Sequence, residues 1–204
     1  LMLRDYGSMS VRDVLEPAIY YAERGHPMLP RVSATIKGLA AFFEKEWPTS
    51  YKTWLPNGST PEAHANFRNP VLAETWKRVI AEAEAKSGRE AQVEAARDAF
   101  YRGFIAEKID TYLKTAEVMD ASGSRHKGVL TANDMATWSA TIEEPLTYDY
   151  YGWTIAKTGP WGQGPVFLQA LSILKGFDLT AMDPDGADFV HTVVECAKLA
   201  FADR

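Results

Sequence analysis

Between Pro145 and Ala156 the spacing of apolar residues changes. β-branched and aromatic residues crowd the run Pro145-Leu146-Thr147-Tyr148-Asp149-Tyr150-Tyr151-Gly152-Trp153-Thr154-Ile155-Ala156. Such a run predicts two strands joined by a tight turn near residues 150–152, a β-hairpin spanning residues 142–157. A lone hairpin is at best marginally stable in water. It is therefore expected to belong to a sheet whose other strands lie outside this chain. Almost everything else has a helical period, so the predicted class is mostly α with a small β-hairpin (α+β).

The helical segments carry recognisable starts and stops. Ser10 with Asp13, Ser87 with Glu90 and Thr131 with Asp134 each have the spacing of a capping box, in which a hydroxyl accepts one orphan amide and an acid three residues on reaches back. Helices are predicted over 10–24, 32–46, 70–86, about 89–99, 105–119, 132–139, 165–175 and 187–202. The apolar stripes expected to face inward are Val14, Ala18, Tyr21 and Ala22 in the first, and Val71, Thr75, Ile80 and Ala83 in the third. Ile105, Ile109, Leu113 and Ala116 line the fifth. Phe167, Ala170, Leu171 and Leu174 line the seventh, with Val190, Val193, Val194, Ala197 and Phe201 in the last. Pro17 removes a backbone donor from the first helix, predicting a kink or a second start. Residues 48–69 are polar, with Pro56-Asn57-Gly58-Ser59 as a turn signal, and are expected to form a loop excursion open to proteases. Gly123 to Gly128 is expected to be a flexible turn. The chain opens Leu1-Met2-Leu3-Arg4 and stops at Arg204 inside a helical pattern, so both ends are expected to be cuts through a longer gene product.

Composition narrows the function classes. With 46% hydrophobic residues among 204 and a net charge of −5, the chain has material for a core. It has no basic stripe of the kind nucleic acid requires. No apolar run approaches the length that crosses a bilayer, and no signal peptide is visible. The single cysteine, Cys196, lies among Val193, Val194, Ala197 and Leu199, where a small buried hydrophobe is expected.

Few residues suggest chemistry. His191 and Glu195 share a helix face continued by Lys198, but two donors beside a lysine fall short of a metal site. They are expected to form a surface pair. His26, His64 and His126 fall in predicted loops. No cofactor, metal or catalytic residue is assigned. Glu143–Glu144 and Asp183–Asp185 are expected to be solvated turns. The most distinctive segment is Gly159-Pro160-Trp161-Gly162-Gln163-Gly164-Pro165, between a predicted strand and a helix. Glycines there permit close backbone approach, and the helix start offers free amides. A phosphate-loop reading fails for want of the spacing and the Lys-Ser/Thr pair. A structural turn accounts for the segment; lining of a substrate cleft by Trp161, Gly162, Gln163 and Gly164 is the functional alternative.

Several segments, in order, resemble the large-subunit region of gamma-glutamyltranspeptidases. Ser10 to Ile19 followed by Ala22-Glu23-Arg24-Gly25 resembles the stretch after that family's early Pro-Gly segment. Phe100-Tyr101-Arg102-Gly103 with Ile105-Ala106 resembles its Phe-Tyr-x-Gly element. Leu130-Thr131 with Asp134-Met135 resembles its Leu-Thr-x-x-Asp-Leu element, and Glu144-Pro145 through Tyr148 with Tyr151-Gly152 resembles its hairpin. Leu168-Gln169-Ala170-Leu171, Leu174, Gly176-Phe177-Asp178-Leu179, His191 and Glu195 through Arg204 complete the likeness across nearly the whole chain.

The resemblance implies a fragment of the αββα N-terminal nucleophile hydrolase fold. It implies that residues 1–204 are one helix-rich segment of the large subunit, truncated at both ends. It also implies a parent precursor that cleaves itself, freeing a small-subunit N-terminal Thr that attacks gamma-glutamyl amides such as glutathione with its own amine as base. On this reading the nucleophile lies downstream of Arg204 and the substrate-gripping arginine upstream of Leu1. The chain alone is then inactive, and its partners are the small subunit, the remainder of the large subunit and a small gamma-glutamyl substrate. Self-association through uncovered apolar surface is also expected. Family members are often periplasmic or extracellular, and a cytoplasmic place is also open to this branch. Where the family commonly shows Pro-Pro-Ser-Ser-Gly, this chain has Gly159-Pro160-Trp161-Gly162-Gln163-Gly164, a departure that leaves a cephalosporin-acylase-like amidase as the alternative. A stand-alone helical binding module is the alternative from another class.

Overall fold

In the computed structural model, which describes residues 1–203, a few helices begin where a side chain satisfies an orphan amide. A short α1 (Met2–Tyr6) precedes α2 (Val11–Arg24). The Asp13 amide donates to the Ser10 hydroxyl (3.1 Å), and the Ser10 amide donates to the Asp13 carboxylate (3.0 Å). The Ser10 hydroxyl also donates to that carboxylate (2.7 Å), and with the Ser10 amide it holds the Asp13 carboxyl below its ordinary range. Pro17 sits inside α2, which runs on without a second start. Gly25 (φ 96°) stops α2, and the Asn66 side chain donates to the Arg24 carbonyl (2.8 Å), filling the space where a Cβ on Gly25 would stand.

Two antiparallel residue pairs, His26↔Phe67 and Pro27↔Asn66, join β1 (His26–Pro27) to β2 (Asn66–Phe67). Between them lie α3 (Pro30–Glu46) and α4 (Pro48–Trp54), each opened by a proline in its first turn. The stretch 48–69, expected to be a loop, thus contains a helix and a strand. Leu55 is buried at the end of α4, and Phe67 stacks on Trp54 with ring centroids 5.2 Å apart. The turn residues 56–59 and residues 62–65 are exposed.

Then follow α5 (Pro70–Glu84), α6 (Arg89–Tyr101), α7 (Phe104–Thr115), a small hairpin of β3 (Val118–Met119) and β4 (Arg125–His126), and α8 (Ala132–Thr137). The box expected at Ser87–Glu90 does not form: Gly88 (φ 87°) caps α6 without a side-chain bond. Arg89 instead donates to the carbonyls of Leu3 and Arg4 (both 3.0 Å), tying α6 to α1. The helix expected to continue to residue 119 ends at Thr115, and the turn expected at 123–128 contributes β4. Thr131 and Asp134 form the predicted box on α8.

The chain divides into two compact units, residues 1–140 and 141–204. The first has two apolar clusters. One joins Val11, Ile19 and Ala22 of α2 to Ala73 and Ile80 of α5 and Val93 of α6. The other gathers Met28, Ile36, Phe43, Leu55 and Phe67, flanked by Trp47, Tyr51 and Trp54. In the second unit β5 (Leu146–Tyr150) and β6 (Trp153–Lys157) pair antiparallel, Leu146 opposite Lys157 and Tyr150 opposite Trp153. Tyr151 (φ 47°) and Gly152 (φ 86°) make the turn. There α9 (Gly164–Leu174) packs on β5 and on α10 (Ala187–Ala202).

Replacing Ser10 by alanine removes the acceptor of an orphan amide at α2 and is expected to cost about 1 kcal/mol. The check is the denaturation midpoint, and Thr131→Ala at α8 is expected to cost less, because α8 is only six residues long.

Candidate functional site

The Gly159–Pro165 segment is a turn leading from β6 into α9. The Gly162 amide donates to the Gly159 carbonyl (3.2 Å), and the Phe167 amide to the Gln163 carbonyl (3.0 Å). Gly164, buried, lies against the main chain of Thr158: a Cβ there would stand far inside contact distance of the Thr158 carbonyl oxygen and 3.0 Å from the Lys157 Cβ. The glycine at 164 is thus fixed by close packing of two backbones.

A hollow of about 310 Å³ opens beside this approach, lined by Lys157, Thr158, Gln163, Gly164, Val166, Phe167 and Phe201. The Lys157 ammonium stands 5.6 Å from the centre of the Phe167 ring. The lining combines one cation, one amide, one hydroxyl residue and apolar faces, a set suited to a small amphipathic molecule. Gln163 and Gly164 therefore share a concave surface. Trp161 and Gly162 are outside its lining. The Trp161 ring is 84% exposed, and its indole N–H donates to the two Glu143 carboxylate oxygens (2.9 and 3.1 Å). The Thr141 hydroxyl donates to the same carboxylate (2.8 Å). Glu143, read from sequence as a solvated acid, is thus a tether; the eighteen-residue separation carried no signal for the pairing.

The other candidates resolve as local contacts. Glu195 pairs with Lys198 (2.8 Å), which lowers its carboxyl's proton affinity; His191 lies exposed on α10. Cys196 is buried, as its neighbours predict. His126 pairs with Asp120 (2.7 Å), His26 meets Phe67 edge-on, and His64 has a left-handed backbone (φ 65°). Among the described residues no group of three or more His, Cys, Asp or Glu could hold a metal ion, and no helix is long and apolar enough to cross a membrane.

Comparison with solved structures gives the class. The structure of cephalosporin acylase from Bacillus halodurans matches 98% of this chain at 28% identity with a TM-score of 0.79, over 34% of its own length. The structure of LmbA2991HD matches 98% at 47% identity with a TM-score of 0.92, again over 34% of that chain. The fold is therefore a mostly helical part of an N-terminal nucleophile hydrolase. The chain belongs to the gamma-glutamyltranspeptidase family, whose model matches residues 1–204. A curated relative, the glutathione hydrolase proenzyme of Bacillus subtilis (strain 168), is 30% identical over 205 residues covering 99% of this chain. The chain spans about a third of the length of the curated relatives it matches: 30% of that proenzyme, and 34% of a glutathione hydrolase-like proenzyme from the same organism. The last residue of the likeness noted from sequence, Arg204, lies outside the described residues.

Proposed function

We propose that the chain is large-subunit framework of an enzyme that transfers or hydrolyses gamma-glutamyl groups, its attacking N-terminal threonine being supplied by another part of the parent polypeptide. The observation that carries this reading is the match of the whole chain to the gamma-glutamyltranspeptidase model, at about a third of the length of relatives named glutathione hydrolase proenzymes. The remaining two thirds of such a proenzyme supply the partners: the rest of the large subunit and the small subunit. Glutathione-like amides are the proposed substrate class. The turn at Trp161, Gly162, Gln163 and Gly164 is proposed to border the substrate cleft, and the hollow beside Gln163 and Gly164 supports that for two of the four.

A second reading has its own support. The likeness to cephalosporin acylase, together with Gly159-Pro160-Trp161 where the resembled family has Pro-Pro-Ser, favours an acylase acting on side-chain amides. The two readings separate by turnover of a gamma-glutamyl anilide against a cephalosporin side-chain amide, measured on the self-cleaved parent. Preference for the acyl-cephalosporin would overturn the first reading. The 204-residue chain alone is expected to release no anilide above background. Turnover that copurifies with it, and is lost when Thr158 becomes valine, would place the nucleophile within these residues.

A further inference from the structure

One buried carboxylate takes no part in either apolar cluster. Glu46, the last residue of α3, has a side chain only 5% exposed. Its partners are Arg125 of β4 (2.5 Å) and Lys45 of its own helix (3.4 Å), themselves half and mostly exposed. Burial opposes ionisation of Glu46, but the bonds from Arg125 and Lys45 outweigh it and hold the carboxyl below its ordinary range. Beside it the Trp47 indole N–H donates to the Met119 carbonyl of β3 (2.9 Å). Trp47 in turn stacks on Phe43 (5.7 Å) and meets Phe42 edge-on (5.0 Å). The β3–β4 hairpin therefore meets the α3–α4 corner through one ion pair and one hydrogen bond.

The hairpin is built as a self-contained finger. Two residue pairs, Val118↔His126 and Met119↔Arg125, form its whole ladder. The Asp120 amide donates to Ser124 (3.1 Å), Gly123 turns with φ 80°, and Ser122 and His126 bond the Asp120 carboxyl and hold it down at about 2. Its base is fixed to α7: the Ala116 amide donates to Tyr112 (2.8 Å) and the Gly128 amide to Leu113 (3.1 Å). A unit pinned at its base, bonded within itself and held elsewhere by two polar contacts can open without the cores opening.

We propose that the Val118–His126 hairpin is a strap across the α3–α4 corner, latched by the buried Glu46 carboxylate on Arg125, and that it opens as a unit to free the Trp47 face. Loss of the latch leaves Glu46 desolvated without its main cation, a state that favours the open form. Proton uptake by Glu46 acts in the same direction, so opening increases as pH falls through the depressed Glu46 range.

Hydrogen exchange resolved at single sites tests this in the 204-residue chain. The Trp47 indole, whose bond crosses to the hairpin, is expected to exchange faster than the Ile80 amide of α5. Arg125→Gln and Glu46→Gln are each expected to speed the indole by about tenfold, the effect of losing one charge-assisted bond, with the Asp120 amide, bonded within the hairpin, and the Ile80 amide unchanged. The double exchange E46R/R125E is expected to restore part of the protection. Trp47 exchanging in step with Ile80, or neither variant changing Trp47, would overturn the strap. Should Glu46→Gln unfold the chain, Arg125→Gln, at a half-exposed position, carries the same test.

Discussion

Gly164→Ala is expected to destabilise the second unit by about 3 kcal/mol, the upper end for forcing atoms into a packed site. The position sits at the first turn of α9, where the helix start runs against the backbone of Thr158. A methyl group there collides with a main-chain oxygen, which cannot rotate away as the end of a side chain would. Relief requires β6 and α9 to separate, which unpacks Val166 and Leu168, both buried. The measurement is the denaturant midpoint at constant slope. Gly159→Ala is the control, since nothing stands within 4 Å of a Cβ there. A loss of less than 1 kcal/mol at Gly164 would mean that close packing does not fix that glycine, leaving cleft lining as its reason. Two equally silent substitutions would be the clearest form of that result.

The second large effect is expected at Phe43→Ala, about 3–5 kcal/mol. Phe43 is buried in the cluster with Met28, Ile36, Leu55 and Phe67 and stacks with Trp47. These residues come from α3, from the positions just after β1 and α4, and from β2, so relaxing into the space would have to move several elements at once. Incomplete collapse is what makes such a cavity costly. Thermal unfolding is the check, with a fall in midpoint of several degrees. Phe42→Ala, one position along the same helix and at its exposed side, is expected to cost far less. Equal losses at the two would assign the effect to helix propensity and not to the core.

Capping was legible in the sequence because it is local: a hydroxyl and an acid three residues apart suffice, as at Ser10 and Thr131. The same signature failed at Ser87, where Gly88 starts α6 and Arg89 is drawn to carbonyls 85 and 86 positions away. The helix at Pro48–Trp54 was hidden by the turn chemistry that follows it. Seven residues opened by proline have little helix propensity, and Leu55 and Phe67 fix them by tertiary packing.

Helix faces were less legible still. In α2 the expected Val14, Ala18 and Tyr21 are exposed and the expected Ala22 is buried, together with Val11 and Ile19. In α9 and α10 the apolar residues run nearly all round, so a 3.6-residue period selects no single face. Val166, Leu168, Cys196 and Ala200 are buried, whereas Phe167, Val190, Val194 and Phe201 stay exposed. At the candidate site, two of four residues, Gln163 and Gly164, meet at one concave surface. The partner of Trp161 could not be read, because an indole bound to an acid eighteen residues away leaves no period in the chain.

The outer margins of β5 and β6 have no neighbouring strand among the described residues. Along β6, Trp153-Thr154-Ile155-Ala156 carries no charge and no proline, and Lys157 is the one residue placed to discourage stacking. In the 204-residue chain taken by itself, the ribbon is thus the edge most open to pairing with a second copy. Thr154→Lys, at an exposed position of the ribbon, would act as a gatekeeper against that pairing.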